Sequence, residues 1–143
     1  MNNQQIWFEG LKEKLDITAK KIKFAKMLRY SLEEADFDTQ TAVISFETQD
    51  WQINQFGTID GAVIMAMMEI GCGTVANYIA GDSDAVMSDM QVTFLRSINY
   101  GEKALLKVFV IKTGKTIIRT RGELYDGVTG KLAASSMSGS FRM

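Results

Sequence analysis

Apolar positions along this chain follow two periodicities, and the change from one to the other marks the first boundary. Ile6, Trp7, Phe8, Leu11 and Leu15 recur at helical spacing, with Glu9, Lys12, Glu13 and Lys14 between them. That pattern predicts a short amphipathic helix over residues 3–15. Residues 18–25 are basic and fit neither period. From Met27 onward the β pattern takes over, predicting strands over 27–36 and 41–47. Between them, Asp36-Phe37-Asp38-Thr39 reads as a hairpin turn whose aspartates fold back onto the backbone. A loop over 48–59 then leads into GAVIMAMMEIGCGTVANYIAG, residues 61–81, in which Glu69 is the only charged side chain. Asp60 stands before the run as a helix N-cap and Gly81-Asp82 after it as a stop, so the run is expected to be helical. Four more β-rich runs follow, over 85–98, 104–112, 116–125 and 132–141, separated by turn signals at 99–101, 113–114 and 126–130. Such spacing suggests successive antiparallel strands. The expected architecture is α+β: an antiparallel sheet wrapped around one long helix in residues 27–143, preceded by a helical segment in residues 1–26.

Composition narrows what this domain can do. At 143 residues the chain is the size of one domain. Its 16 basic and 17 acidic residues leave no positive excess to hold a phosphate backbone, so nucleic acid is not expected as a partner. There is no histidine. That removes Ser-His-Asp and Cys-His nucleophiles, histidine-dependent dehydration and nearly every common zinc site, and no metal or cofactor is expected. Any acid or base must be Asp, Glu, Lys, Tyr or Cys72. A lone cysteine makes no internal disulfide, and the first residues, MNNQQIWFEGLKEK, lack the basic-then-apolar order of a secretory signal. A cytoplasmic location is the expectation. The long apolar run matches a membrane span in length, but Glu69 near its centre, Asn77 and four glycines within it, and strand patterns on both sides argue for a core helix instead.

Glu69 is therefore the residue to explain. A carboxylate in an apolar helix either lies on a wet stripe, pairs with a strand arginine such as Arg96, Arg119 or Arg121, or is held desolvated for chemistry as general base or nucleophile. Upstream, Asn54-Gln55-Phe56-Gly57-Thr58-Ile59-Asp60-Gly61-Ala62 leads into the same helix. The first helical turn leaves backbone N–H groups unpaired, and glycine allows close approach, which together make an oxyanion site. Eight residues separate Gly61 from Glu69, about 12 Å along a helix axis. One chain does not easily bring both to one carbonyl, so a site that uses both is shared between two subunits.

These residues resemble the hotdog-fold acyl-CoA thioesterases, in particular the phenylacetate-pathway-like (4-hydroxybenzoyl-CoA thioesterase-like) branch. The signature of that family runs roughly N-x-x-G-x-x-H-G-G, followed after six residues by Asp or Glu. Asn54, Gly57, Gly61 and Glu69 stand at the matching positions, with Asp60 in place of the histidine and Ala62 in place of the last glycine. Val92-Thr93-Phe94-Leu95-Arg96 is similar to a family strand segment ending F-L-R-P, with Ser97 for proline. The resemblance implies a hotdog fold over about residues 27–143, assembly as a homodimer or a tetramer of dimers, and an acyl-CoA substrate. It casts Gly61 of one subunit as oxyanion donor, Glu69 of the other as general base or nucleophile, and Asn54 as a group that orients water or substrate. Met65, Met68 and Met90 become candidates to line the acyl pocket, and Arg96, Lys103, Lys112, Lys115, Arg119 and Arg121 to hold coenzyme A phosphates. Asp60 caps the helix, but beside an oxyanion its charge opposes the developing negative charge unless it is turned away or protonated. A non-catalytic acyl-CoA-binding or regulatory protein is the alternative.

Overall fold

Helix α1, Asn3–Lys21, starts where the sequence favours it: the Asn2 side chain accepts from the Gln5 N–H, and the Gln5 side chain accepts from the Asn2 N–H. The computed structural model describes all residues from Met1 to Met143. Trp7, Leu11 and Leu15, one turn apart, form the buried stripe of α1. The helix runs six residues beyond the predicted end, and Lys20 and Lys21 in its last turn suit the negative end of the helix dipole. A single helical turn, α2 (Lys23–Met27), follows. The stretch that fits neither period is thus helical on both sides of an extended Ile22. Strand β1 (Tyr30–Asp36) begins three residues later than the pattern predicts. Arg29, at φ +48°, turns the chain into it.

Strand β2 (Thr41–Phe46) closes the expected hairpin, with Asp36 Oδ1 accepting from the N–H groups of Asp38 (2.9 Å) and Thr39 (3.3 Å). After a 3-10 turn at Asp50–Gln52 comes helix α3, Gly61–Ala80, ended by Gly81 at φ +69°. The remaining strands are β3 (Ala85–Phe94), β4 (Ala104–Thr113), β5 (Ile117–Asp126) and β6 (Leu132–Arg142).

All six strands form one antiparallel sheet in the order β1-β2-β4-β5-β6-β3. Here the expectation of successive neighbours is corrected. β4, β5 and β6 do run consecutively, but β3 pairs with β6 at the far edge, and residues 95–103 cross back to β4. Turn signals set where a strand stops and carry no information about its partner. The crossing segment passes the start of α3, where the Ile59 N–H donates to the Ile98 carbonyl at 2.9 Å and Thr58 bridges to Asn99. β3 also ends at Phe94 and not at 98, because the Leu95 and Arg96 N–H groups both turn to the Ala133 carbonyl.

α3 lies across this sheet with Met67, Met68, Cys72 and Val75 in one core with Ile44, Phe46, Leu106, Val108 and Leu124. Gly71 makes the close approach possible, since a Cβ there would run into Leu106. α3 is the one helix long and apolar enough to cross a membrane by length and composition, yet one face is sealed by the sheet. Trp7, Leu11 and Leu15 of α1 belong to the same core, and the Trp7 indole N–H donates to the Thr41 carbonyl at 3.1 Å.

Candidate active site

The loop into α3 is organised by Asn54, whose Oδ1 accepts from the Phe56 N–H (2.9 Å), the Thr58 N–H (3.2 Å) and the Thr58 hydroxyl (3.2 Å). Its oxygen is thereby committed to loop shape, and its amide NH2 has no partner in the chain. Asp60 caps the helix as predicted: its carboxylate accepts from the Ala62 N–H at 2.8 Å, and its carbonyl accepts from Val63 (3.0 Å) and Ile64 (3.1 Å). The first-turn donor left over is Gly61 N–H, which has no acceptor in the chain. A Cβ on Gly61 would meet the Phe94 ring at 3.4 Å, so the ring of the β3 end covers this glycine. Asn54, Gly61, Phe94, Leu95 and Arg96 share one groove of about 330 Å³. Arg96 is fixed there by a 3.0 Å hydrogen bond to the Leu132 carbonyl.

Glu69 lies elsewhere. It opens, with Ile70, Gly73, Thr74 and Asn77 of α3, onto a separate recess of about 370 Å³ closed by α1 and the start of β3. Ala62, Met65 and Glu69 form the exposed stripe of the helix in the single chain. The helix is therefore not buried all round, which corrects the expectation drawn from its composition. Nor does Glu69 pair with an arginine. Arg119 reaches Asp89 (3.6 Å), Arg121 reaches Glu123 (2.9 Å), and Glu69 has no ion pair or hydrogen bond. Its carboxylate leans over Gly73, with Oε1 3.7 Å from where a Cβ would stand there and the Met87 methyl close by. The side chain is open to solvent, but protein surrounds enough of it that desolvation raises its pKa above the usual carboxylate value. Cys72 cannot share the work: fully buried, its thiol is pushed up to about 11 by burial.

The other sequence candidates separate. Met65 is exposed and Met90 half-buried, whereas Met68 is sealed in the core. Arg119 and Arg121 alternate with buried Ile118, Thr120 and Gly122, which puts them on the sheet face away from α3, with the Arg121 guanidinium 3.9 Å from the Phe109 ring centroid. Lys103, Lys112 and Lys115 are exposed and line neither recess. Sequence reasoning passed over Phe94 and Leu95 as site residues, although both lie in the matched segment. It also passed over Met87 and the α1 wall, for which the sequence carries no signal because they meet Glu69 only through folding.

A profile of the thioesterase superfamily matches residues 56–133, the span from the α3 loop to the start of β6. The chain belongs to the thioesterase superfamily. Its fold is the hotdog fold of solved superfamily structures. Zebra fish thioesterase superfamily member 2 superimposes with a TM-score of 0.80 over 92% of this chain and 94% of that one, at 20% identity. The PaaI protein from the phenylacetic acid degradation operon of E. coli gives 0.78 over 93% and 96%, also at 20% identity. A hypothetical thioesterase protein from Streptococcus pneumoniae TIGR4, solved with coenzyme A, gives 0.72 over 80% and 86%, at 14% identity. No curated protein sequence matches the chain. Within this thioesterase-superfamily fold, the two candidate half-sites stand at two points of one helix and open onto different recesses.

Proposed function

We propose that this chain is an acyl-CoA thioesterase whose active site is completed across a homodimer, with Gly61 N–H of one subunit and Glu69 of the other at the same thioester. The observation that carries this reading is the pair of unsatisfied groups on α3: a first-turn N–H with no acceptor and a raised-pKa carboxylate with no partner, about 12 Å apart along the axis. Each is incomplete alone, and a twofold axis beside the helix supplies each with the other. Coenzyme A in the pneumococcal relative supports the carrier.

As general base, Glu69 takes a proton from water as the water oxygen attacks the thioester carbon. The oxyanion that forms accepts the Gly61 N–H, and collapse breaks the C–S bond. The proton held by Glu69 then goes to the departing thiolate, giving a carboxylic acid and free coenzyme A. As nucleophile, Glu69 instead attacks the thioester carbon and the C–S bond breaks to expel the coenzyme A thiolate, leaving a mixed anhydride that water then hydrolyses to the carboxylic acid and the free Glu69 carboxylate. Asn54, with its oxygen bound in the loop, contributes its amide NH2 to water or substrate. A second reading, acyl-CoA binding without turnover, rests on the Asp60 carboxylate at the α3 N-terminus. Thiol release from acetyl-, octanoyl- and phenylacetyl-CoA separates the two. The thioesterase reading expects turnover that Glu69→Gln lowers by at least about 100-fold with the fold intact, on the scale of general-base catalysis. Binding of acyl-CoA with no release by wild type establishes the second reading.

A further inference from the structure

The N-terminal helix has no part in the superfamily match, which begins at residue 56, yet it forms a wall of the recess that Glu69 opens onto. Resting on the thioesterase reading, we infer that this recess between α1, α3 and β3 is the acyl pocket, and that it takes an unbranched aliphatic acyl group of about eight to ten carbons. Its volume, about 370 Å³, falls in the range of ligand cavities, roughly 300–1,000 Å³. It runs along α3 from Glu69 to Asn77, eight residues or about 12 Å. An extended chain advances about 1.3 Å per methylene by ordinary C–C geometry, so the recess accepts up to about nine carbons beyond a carbonyl placed at Glu69, which holds octanoyl and is filled by decanoyl. Its far end is bridged where the Asn77 side chain donates to the Ala85 carbonyl at 3.1 Å.

The lining selects the class of chain. Ile17 of α1 and Ile22 just after it face Ile70 of α3 and Val86 and Met87 of β3, with no aromatic ring in the lining for an aryl group to stack on. Lys14 and Lys21 are balanced by Asp84 and Glu69, so a second carboxylate at the far end of the acyl group gains no net attraction. Gly73 keeps the recess open. A Cβ there meets only Glu69 Oε1 at 3.7 Å and Met87 Cε at 3.9 Å, ordinary contacts, so a larger residue fits the protein and fills the space the chain needs.

The test is kcat/KM over a series from acetyl- to hexadecanoyl-CoA for wild type, Gly73→Leu and Ile17→Phe, with thermal melts as the check on folding. Ile17 sits on the exposed side of α1, so its variant keeps the test alive if Gly73→Leu does not fold. Wild type is expected to peak at octanoyl or decanoyl, and each variant to lower the octanoyl-to-acetyl ratio at least tenfold. A wild-type profile still rising at hexadecanoyl, or folded variants that keep the wild-type ratio, overturns the pocket assignment and leaves the thioesterase reading standing. If wild type releases no thiol, that reading fails, and calorimetric binding of the non-hydrolysable octanoyl-CoA thioether decides the pocket. Tenfold weaker binding by Gly73→Leu supports it. Equal binding, or none to wild type, overturns it.

Discussion

Gly61→Pro isolates one hydrogen-bond donor. Proline has no N–H, and the first position of a helix is where it is best tolerated, because that N–H has no helical acceptor. In this chain the donor is unpaired, so no internal hydrogen bond is lost. Asp60, at φ −60° and ψ 141°, already has the extended conformation that a residue before proline requires. The new Cβ meets the Phe94 ring at 3.4 Å, an ordinary contact. The variant is expected to fold with stability equal to or about 0.4–1 kcal/mol above wild type, through the stiffer unfolded chain. Its turnover should fall about 10²–10³-fold, the loss of one oxyanion donor. Mixing then tests the shared site. In a random equal mixture of Gly61→Pro and Glu69→Gln subunits, half the dimers are mixed. Each mixed dimer has one site with both groups intact and one with neither, so about a quarter of wild-type activity returns. The assay is thiol release from octanoyl-CoA after subunit exchange, with mixed dimers counted by native mass spectrometry. Gly61→Pro with wild-type turnover refutes the donor role. Mixed dimers without recovery refute a site shared between subunits.

Four further outcomes follow from the geometry. Desolvation raises the Glu69 pKa, so kcat/KM should decline on the acid side at a pH above the ordinary carboxylate range, and with no histidine present that limb belongs to a carboxylate. The same shift makes the charged form the less favoured one in the fold: Glu69 lowers stability as pH rises from about the reference 4.3 through its raised value, so Glu69→Gln should melt no lower than wild type at pH 7 and higher there than at pH 4 relative to it. Asp60→Asn keeps a capping oxygen and removes the charge opposing the oxyanion, so steady-state kinetics should show kcat rising several-fold; an unchanged kcat means the Asp60 charge faces away from the reaction. Trp7→Ala should cost about 3–5 kcal/mol in urea unfolding, because the indole is buried in the main core and hydrogen-bonded to Thr41; a loss under about 1 kcal/mol would make α1 an appendage.

The local placement of the candidate site residues was legible in the sequence because it depends on neighbours along the chain. Asp60 as N-cap, Gly61 as the glycine behind it and Glu69 two turns on are set by the 3.6-residue period and by capping chemistry, which act over a few residues. The length of α3, the hairpin at Asp36–Thr39 and the absence of any imidazole chemistry follow in the same way. Tertiary structure decided what depends on which segments meet. No local signal says that β3 crosses to the far side of β6, because a strand's own pattern gives its faces and not its neighbour. Glu69 reads as a buried charge in a sequence where every neighbour is apolar. In the fold it stands on the stripe left open by a sheet that covers one side of the helix, and only the packing of α1 and β3 around it makes a recess. The basic segment after Leu15 became the wall of that recess for the same reason. Helix and strand periods are properties of adjacent residues, whereas a pocket belongs to surfaces that folding brings together from residues far apart in the chain.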